Sequence, residues 1–186
     1  MMNSLLEQWH ELMKPMLPAP FDGNEYFTIA STLIVLAVFF YVHRRKPALL
    51  QTEIVAILLF NLLYATIGDY FLAMKPYDFY NTVDHDSGEL MDLLLQNVVY
   101  PFTLLIMMHV YASLQPRRRL FIPICTAVLV LLEWIGEEYF QLYTYKSWKL
   151  WYSAVFYIFV LIVNVLFFIR FRHTIHRLRA QVENHP

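Results

Sequence analysis

Apolar residues run along this chain in five blocks, each long enough to cross a bilayer and each separated from the next by a short polar stretch. A helix needs about 20 residues to span the roughly 30 Å hydrocarbon layer. The blocks near 25–42, 48–72, 89–114, 120–141 and 150–171 meet that length. The first 20 residues have a different pattern. Ser4 and Glu7 stand at capping-box spacing, and Leu5, Leu6, Trp9, Leu12, Met13 and Met16 recur near the helical period before a run of prolines. This predicts a short amphipathic helix over 1–20, either lying on the outer membrane surface or capping the mouth of the bundle. Glu7 and Glu11 would interrupt the apolar core of a signal peptide, and no basic leader precedes them. The expected fold is an all-α integral membrane protein: a five-transmembrane-helix bundle with a short amphipathic N-terminal helix. One membrane domain accounts for all 186 residues, with 172–186 as a basic cytoplasmic tail, expected to be helical over 172–182 along the cytoplasmic surface.

Composition agrees with that class: 59% of residues are hydrophobic, 16% are charged, and the mean hydropathy is +0.45. The net charge of −1 conceals an asymmetry. All nine arginines fall at 44–45, 117–119 and 170–179, each cluster at the same end of the alternating spans. That end carries ten basic residues and only Glu53 and Glu183 as acids, whereas the opposite end carries four lysines and thirteen acids. Short loops rich in Lys and Arg stay on the cytoplasmic side. The N-terminus is therefore expected outside and the C-terminus in the cytoplasm.

Four carboxyls fall within or against the spans: Asp69, Asp92, Glu133 and Glu137. A charged group at a helix centre costs about 2.5–3.5 kcal/mol on insertion scales, so intramembrane acids are functional candidates. Glu133 and Glu137 are four residues apart and share a helix face. Asp92, Gln96 and Thr103 form a stripe on the third span; Asn61, Ala65, Gly68 and Asp69 one on the second; Ser153, Tyr157 and Asn164 one on the fifth. Turned inward, these stripes would place the acids in the outer half of the bundle, with Asn61, Gln96, Tyr152, Tyr157 and Asn164 in support. Crowded carboxyls disfavour one another's ionised forms. The competing reading puts the acids at the wet interface, hydrogen-bonded to Tyr, Trp and Lys; Lys149 is a candidate counter-charge. Tyr139, Tyr143, Tyr145, Trp148, Trp151 and Tyr152 fit an interfacial aromatic belt.

Other chemistry is absent from the pattern. Asp84-His85-Asp86-Ser87-Gly88 fails the EF-hand register, since Gly88 falls at position five and no Glu stands at position twelve. Cys125 is single and forms no CxxC site. No Gly-rich phosphate loop, nucleophile elbow or HExxH motif is present, and neither a metal site nor a nucleic-acid partner is expected.

The residues Glu133, Tyr143, Trp148-Lys149-x-x-Tyr152-Ser153 and Tyr157 resemble the signature of an uncharacterised family of small five-span membrane proteins from spore-forming Gram-positive bacteria. In that family an acid of span four precedes a short outer turn and a Trp-Lys-x-x-Tyr-Ser entry into span five. Asp69 and Asp92 resemble acids that the family carries in spans two and three. The similarity covers about residues 25–175, although the 77–89 loop is more acidic and less Pro-rich than the family pattern. It implies topology, site residues and a place in a bacterial cell (plasma) membrane, and assigns no activity.

Three functions fit these residues. The leading one is an outward-facing acidic pocket that binds a cation or proton for transport or sensing. The others are an intramembrane enzyme acting on a lipid or isoprenoid, and a non-catalytic component of a membrane complex. All three act within the lipid bilayer, with a cation, a lipid or another membrane protein as partner. Reporter fusions at Ser87 and Arg118 should report opposite sides of the membrane; a same-side result would overturn the topology.

Overall fold

A computed structural model describes residues 21–83 and 89–183. The amphipathic helix expected over 1–20 and the Asp84–Gly88 stretch lie outside the described residues. Five long helices carry the chain: α1 (Gly23–Arg45), α2 (Gln51–Leu72), α3 (Leu90–Leu114), α4 (Arg118–Phe140) and α5 (Leu150–Glu183). All five are long and apolar enough to cross a membrane. Two three-residue strands, β1 (Tyr80–Thr82) and β2 (Tyr143–Tyr145), complete the fold. The chain is thus a helical multi-pass membrane protein, and large apolar side chains such as Leu33, Leu59, Leu63 and Leu120 cover its outside.

The helix ends follow from local chemistry. Asp22 caps α1 by accepting from Asn24 N at 3.1 Å, while Glu25 reaches back to Asp22 N at 2.6 Å. Each contact satisfies a donor that the helix start would leave bare. Glu53 does the same for α2, accepting from Leu50 N at 2.8 Å. At the other end of α4, Gln141 adopts a left-handed conformation (φ 51°), and Leu142 N bonds back to Gly136 O at 2.9 Å. This six-to-one closure reverses the chain. It also folds Leu142 onto Gly136, where a Cβ would meet the Leu142 side chain at 3.1 Å.

Within α3, residues Leu95–Val99 form a π-turn, and Tyr100 N–H reaches back five residues to Leu95 O. Pro101 follows directly. A proline lacks the N–H and crowds the carbonyl four residues earlier, so the wider turn lies immediately ahead of the residue that an ideal helix would tolerate worst.

The helices pack in a closed cycle: α1 on α3, α3 on α2, α2 on α5, α5 on α4, and α4 back on α1. One end of the ring carries the arginines. There it is filled by a core that includes Phe39, Leu105, Met108, Leu161, Val165 and Phe168. The other end is crossed by the strands, paired antiparallel with Tyr80 opposite Tyr145 and Thr82 opposite Tyr143. Phe79 O accepts from Lys146 N and Ser147 N, and Lys146 pairs with Asp78 at 2.6 Å. Two connections far apart in sequence are thereby joined into a roof.

The 34 residues of α5 form one continuous helix through the span expected over 150–171 and on to Glu183. At 1.5 Å per residue it is about 51 Å long, well beyond the hydrocarbon thickness. Arg172 anchors it: the guanidinium donates to both Glu53 oxygens at 2.6 and 2.7 Å and to Ala48 O at 2.8 Å, and lies over the Phe168 ring. Glu53 is fully buried, so removing its partner strands a charge in the bundle. Arg172→Ala should lower stability by about 3–5 kcal/mol, read as a lower melting temperature in detergent. Combining Arg172→Met with Glu53→Gln should restore most of that loss, because no uncompensated charge then remains.

Candidate functional site

Between the arginine-end core and the roof lies a cavity of about 410 Å³. Its lining runs along α2 from Asn61 to Leu72, three turns or roughly 16 Å. All five helices and both strands contribute to it. The strands explain the character of the upper surface. Alternate residues of a strand share a face, and the pairing register puts Tyr80, Thr82, Tyr143 and Tyr145 on one side. All four line the cavity. The roof is therefore tyrosine-rich underneath, with the rings of Tyr80 and Tyr143 perpendicular at 6.2 Å and Trp148 against Tyr80 at 5.8 Å. Further down, Ile34, Val35, Leu104, Leu129, Phe156 and Val160 make the walls apolar.

Glu133 is the central polar group. It is 8% exposed, on α4, and lines the cavity. Its Oε1 accepts from Tyr145 Oη at 2.6 Å and from Ser153 Oγ at 2.5 Å, and Ser153 Oγ in turn accepts from Trp148 Nε1 at 2.8 Å. Its Oε2 is buried and has no hydrogen-bond partner among the described residues. Burial, followed by the bond to Glu133, holds the Tyr145 phenol well above its ordinary range, so it remains a donor. Burial and the neighbouring carboxyls, including Asp69, Glu133 and Asp92, push up the Tyr80 phenol as well. These three acids thus lie within electrostatic reach of one roof tyrosine.

The remaining candidate residues divide into groups. Asp69 lines the cavity with Ala65 and Gly68. Asp92, 1% exposed, accepts from Gln96 Nε2 at 2.9 Å and sits behind the lining; Gln96 also interacts with Asp69. Asn61 lines the lower part and donates to Asn164 Oδ1 at 2.8 Å and to Ile57 O at 2.9 Å; its own Oδ1 is buried without a partner among the described residues. Tyr157 lines the cavity and approaches Glu133.

Three of the candidate residues lie apart from the cavity lining. Glu137 is half-buried and outside the lining, one turn beyond Glu133 on α4. Tyr152 is also outside it, its ring packed on Trp151 and Trp148. Lys149 is exposed, and Tyr145 and Ser153 hydroxyls hold Glu133 in place of an ammonium.

The roof is the part of the site that the sequence pattern does not announce. An interfacial belt is the simplest place for Tyr143, Tyr145 and Trp148, but pairing of β2 with β1 turns them inward. The available signal is alternation: Tyr-Asn-Thr and Tyr-Thr-Tyr are short period-two runs of β-favouring residues. No protein-family model matches the chain, and no curated protein or solved structure matches it significantly.

Each donor to Glu133 should contribute measurably. Tyr145→Phe and Ser153→Ala each remove one bond to a buried carboxyl, an effect of about 1.5–3 kcal/mol for a charged acceptor. Thermal melts of both single variants and the double variant should show non-additive losses, since the two donors share one oxygen. Additive, near-zero effects would mean that the carboxyl is solvated.

Proposed function

We propose that the protein binds a cation or a proton at Glu133, inside the bundle, in the service of transport or sensing. The observation that carries this reading is the state of the Glu133 carboxyl: one oxygen is held by two hydroxyls, and the other is buried at the cavity without a partner among the described residues. A buried acceptor left unmet is costly unless something supplies a donor or a charge. Asp69, also on the cavity, adds negative potential near the same end. The arginines at the opposite end support a cytoplasmic placement for that end, and with it an outward-facing site. The resemblance to five-span proteins of spore-forming bacteria supports a bacterial cell membrane.

A second reading, an intramembrane enzyme for a lipid or isoprenoid, draws on the apolar walls. There Glu133 and Asp69 would act as general acid and base, with the roof tyrosines facing a developing cation. The two readings differ in what they require: a bound charge for the first, a turned-over substrate for the second.

Infrared difference spectra of the protein in detergent, with and without added cation or after a pH jump, test the first reading. A carboxyl band should change in the wild type and stay unchanged in Glu133→Gln, while the variant melts within a few degrees of the wild type. A wild-type spectrum insensitive to both treatments would end the proposal.

A further inference from the structure

We infer that the charge bound at Glu133 is an organic one: an ammonium group carried on an apolar body, with the charge under the tyrosine roof and the body along the helical walls. The inference rests on the cation-site reading above and narrows its ligand. Three features favour an organic cation over a bare metal ion.

The first is the oxygen count. Hard cations gather about six or more oxygen ligands. Here two carboxyls line the cavity, Glu133 and Asp69; Glu133 Oε1 already accepts two bonds, Asp69 interacts with Gln96, and Asp92 is turned to Gln96 behind the lining. Among the described residues, no three His, Cys, Asp or Glu side chains group closely enough to hold a metal. Two carboxyls partly engaged by protein donors fall short of such a shell and suit a single charged donor or a quaternary centre.

The second is the enclosure. Tyr80, Tyr143, Tyr145, Tyr157 and Trp148 all line the cavity with Glu133, and the Tyr80–Tyr143 and Tyr80–Trp148 pairs are steeply angled, at 90° and 66°. Rings meeting at such angles form corners, and the faces of aromatic rings attract alkylated ammonium groups, strongly so when water is excluded.

The third is the space beneath. An inorganic ion would leave most of a 410 Å³ cavity with apolar walls unused, whereas small-molecule sites occupy about 300–1,000 Å³ and are mainly apolar with a few placed polar groups. Asn61 Oδ1, buried and unpartnered among the described residues at the lower end, offers a second acceptor to a donor on the far part of the ligand.

The test uses the full chain in dodecyl maltoside with labelled decyltrimethylammonium as probe, and the neutral isostere 2,2-dimethyldodecane, sodium and potassium as competitors. Saturable binding is expected in the wild type, with poor competition from sodium, potassium and the neutral isostere. Glu133→Gln should weaken it at least about tenfold. Tyr80→Leu should weaken it about three- to tenfold and Tyr80→Phe less than about twofold, since only the π-face matters; melting curves of each variant confirm that it is folded. If sodium or potassium displaces the probe at equal concentration, or alone produces the Glu133 infrared change while the probe does not bind, the organic-cation inference falls and the cation site stands. If the neutral isostere binds equally well and Glu133→Gln changes nothing, both fall. Absence of probe binding together with an inert infrared spectrum likewise removes both.

Discussion

Six residues of antiparallel strand, Tyr80–Thr82 against Tyr143–Tyr145, determine what the rest of this bundle encloses. A ring of five helices closes side by side without help, but its ends are open unless something crosses them. At the arginine end, apolar side chains from all the helices fill the gap. At the other end, two connections pair through their backbones and span it. The pairing satisfies backbone groups that would otherwise need water, and its register commits three tyrosines to one face. The cavity, its aromatic ceiling and the hydrogen bond from Tyr145 to Glu133 all follow from that register. A slip of one residue would send the same side chains to the opposite face.

The two ends therefore handle buried polarity in different ways. Near the arginines, Glu53 meets a guanidinium with two good bonds, and the pair clamps α2 to α5. That is a closed arrangement, with the charge neutralised internally. Near the roof, Glu133 is supported by hydroxyls that orient it without neutralising it, and one oxygen is left over. Support without neutralisation is what separates a site from a structural contact. The same contrast appears in the amides: among the described residues, Asn164 is used as both donor and acceptor, whereas Asn61 is used only as donor.

The sequence is informative about the helices because length and hydropathy act within single segments. Five spans are legible, and so are the polar stripes: Ala65, Gly68 and Asp69, or Ser153 and Tyr157, lie on faces that helical spacing alone can identify. What stays hidden depends on contacts between segments. Glu137 shares a face with Glu133 on a helical wheel, yet lies outside the lining, whereas Leu142, folded back onto Gly136, is part of it. Tyr143 and Tyr145 look like interfacial aromatics until a partner strand far earlier in the chain turns them inward. The ion pair of Arg172 joins α5 to Glu53, 119 positions away, and no spacing within either span announces it.

The π-turn at Leu95–Val99 gives α3 two phases in one rod. Ahead of it, Asp92 sits behind the cavity lining; after it, Thr103 and Leu104 face the cavity on a wheel displaced by the extra residue. Each residue of an α-helix advances the wheel by about 100°. Loss of a single residue from this turn would leave the lower half of the helix seated in the bundle and swing the Asp92 segment by that angle, away from Asp69. Chain length in this one turn thus acts as a selector of which acid shares the neighbourhood of the roof, independently of which side chains are present.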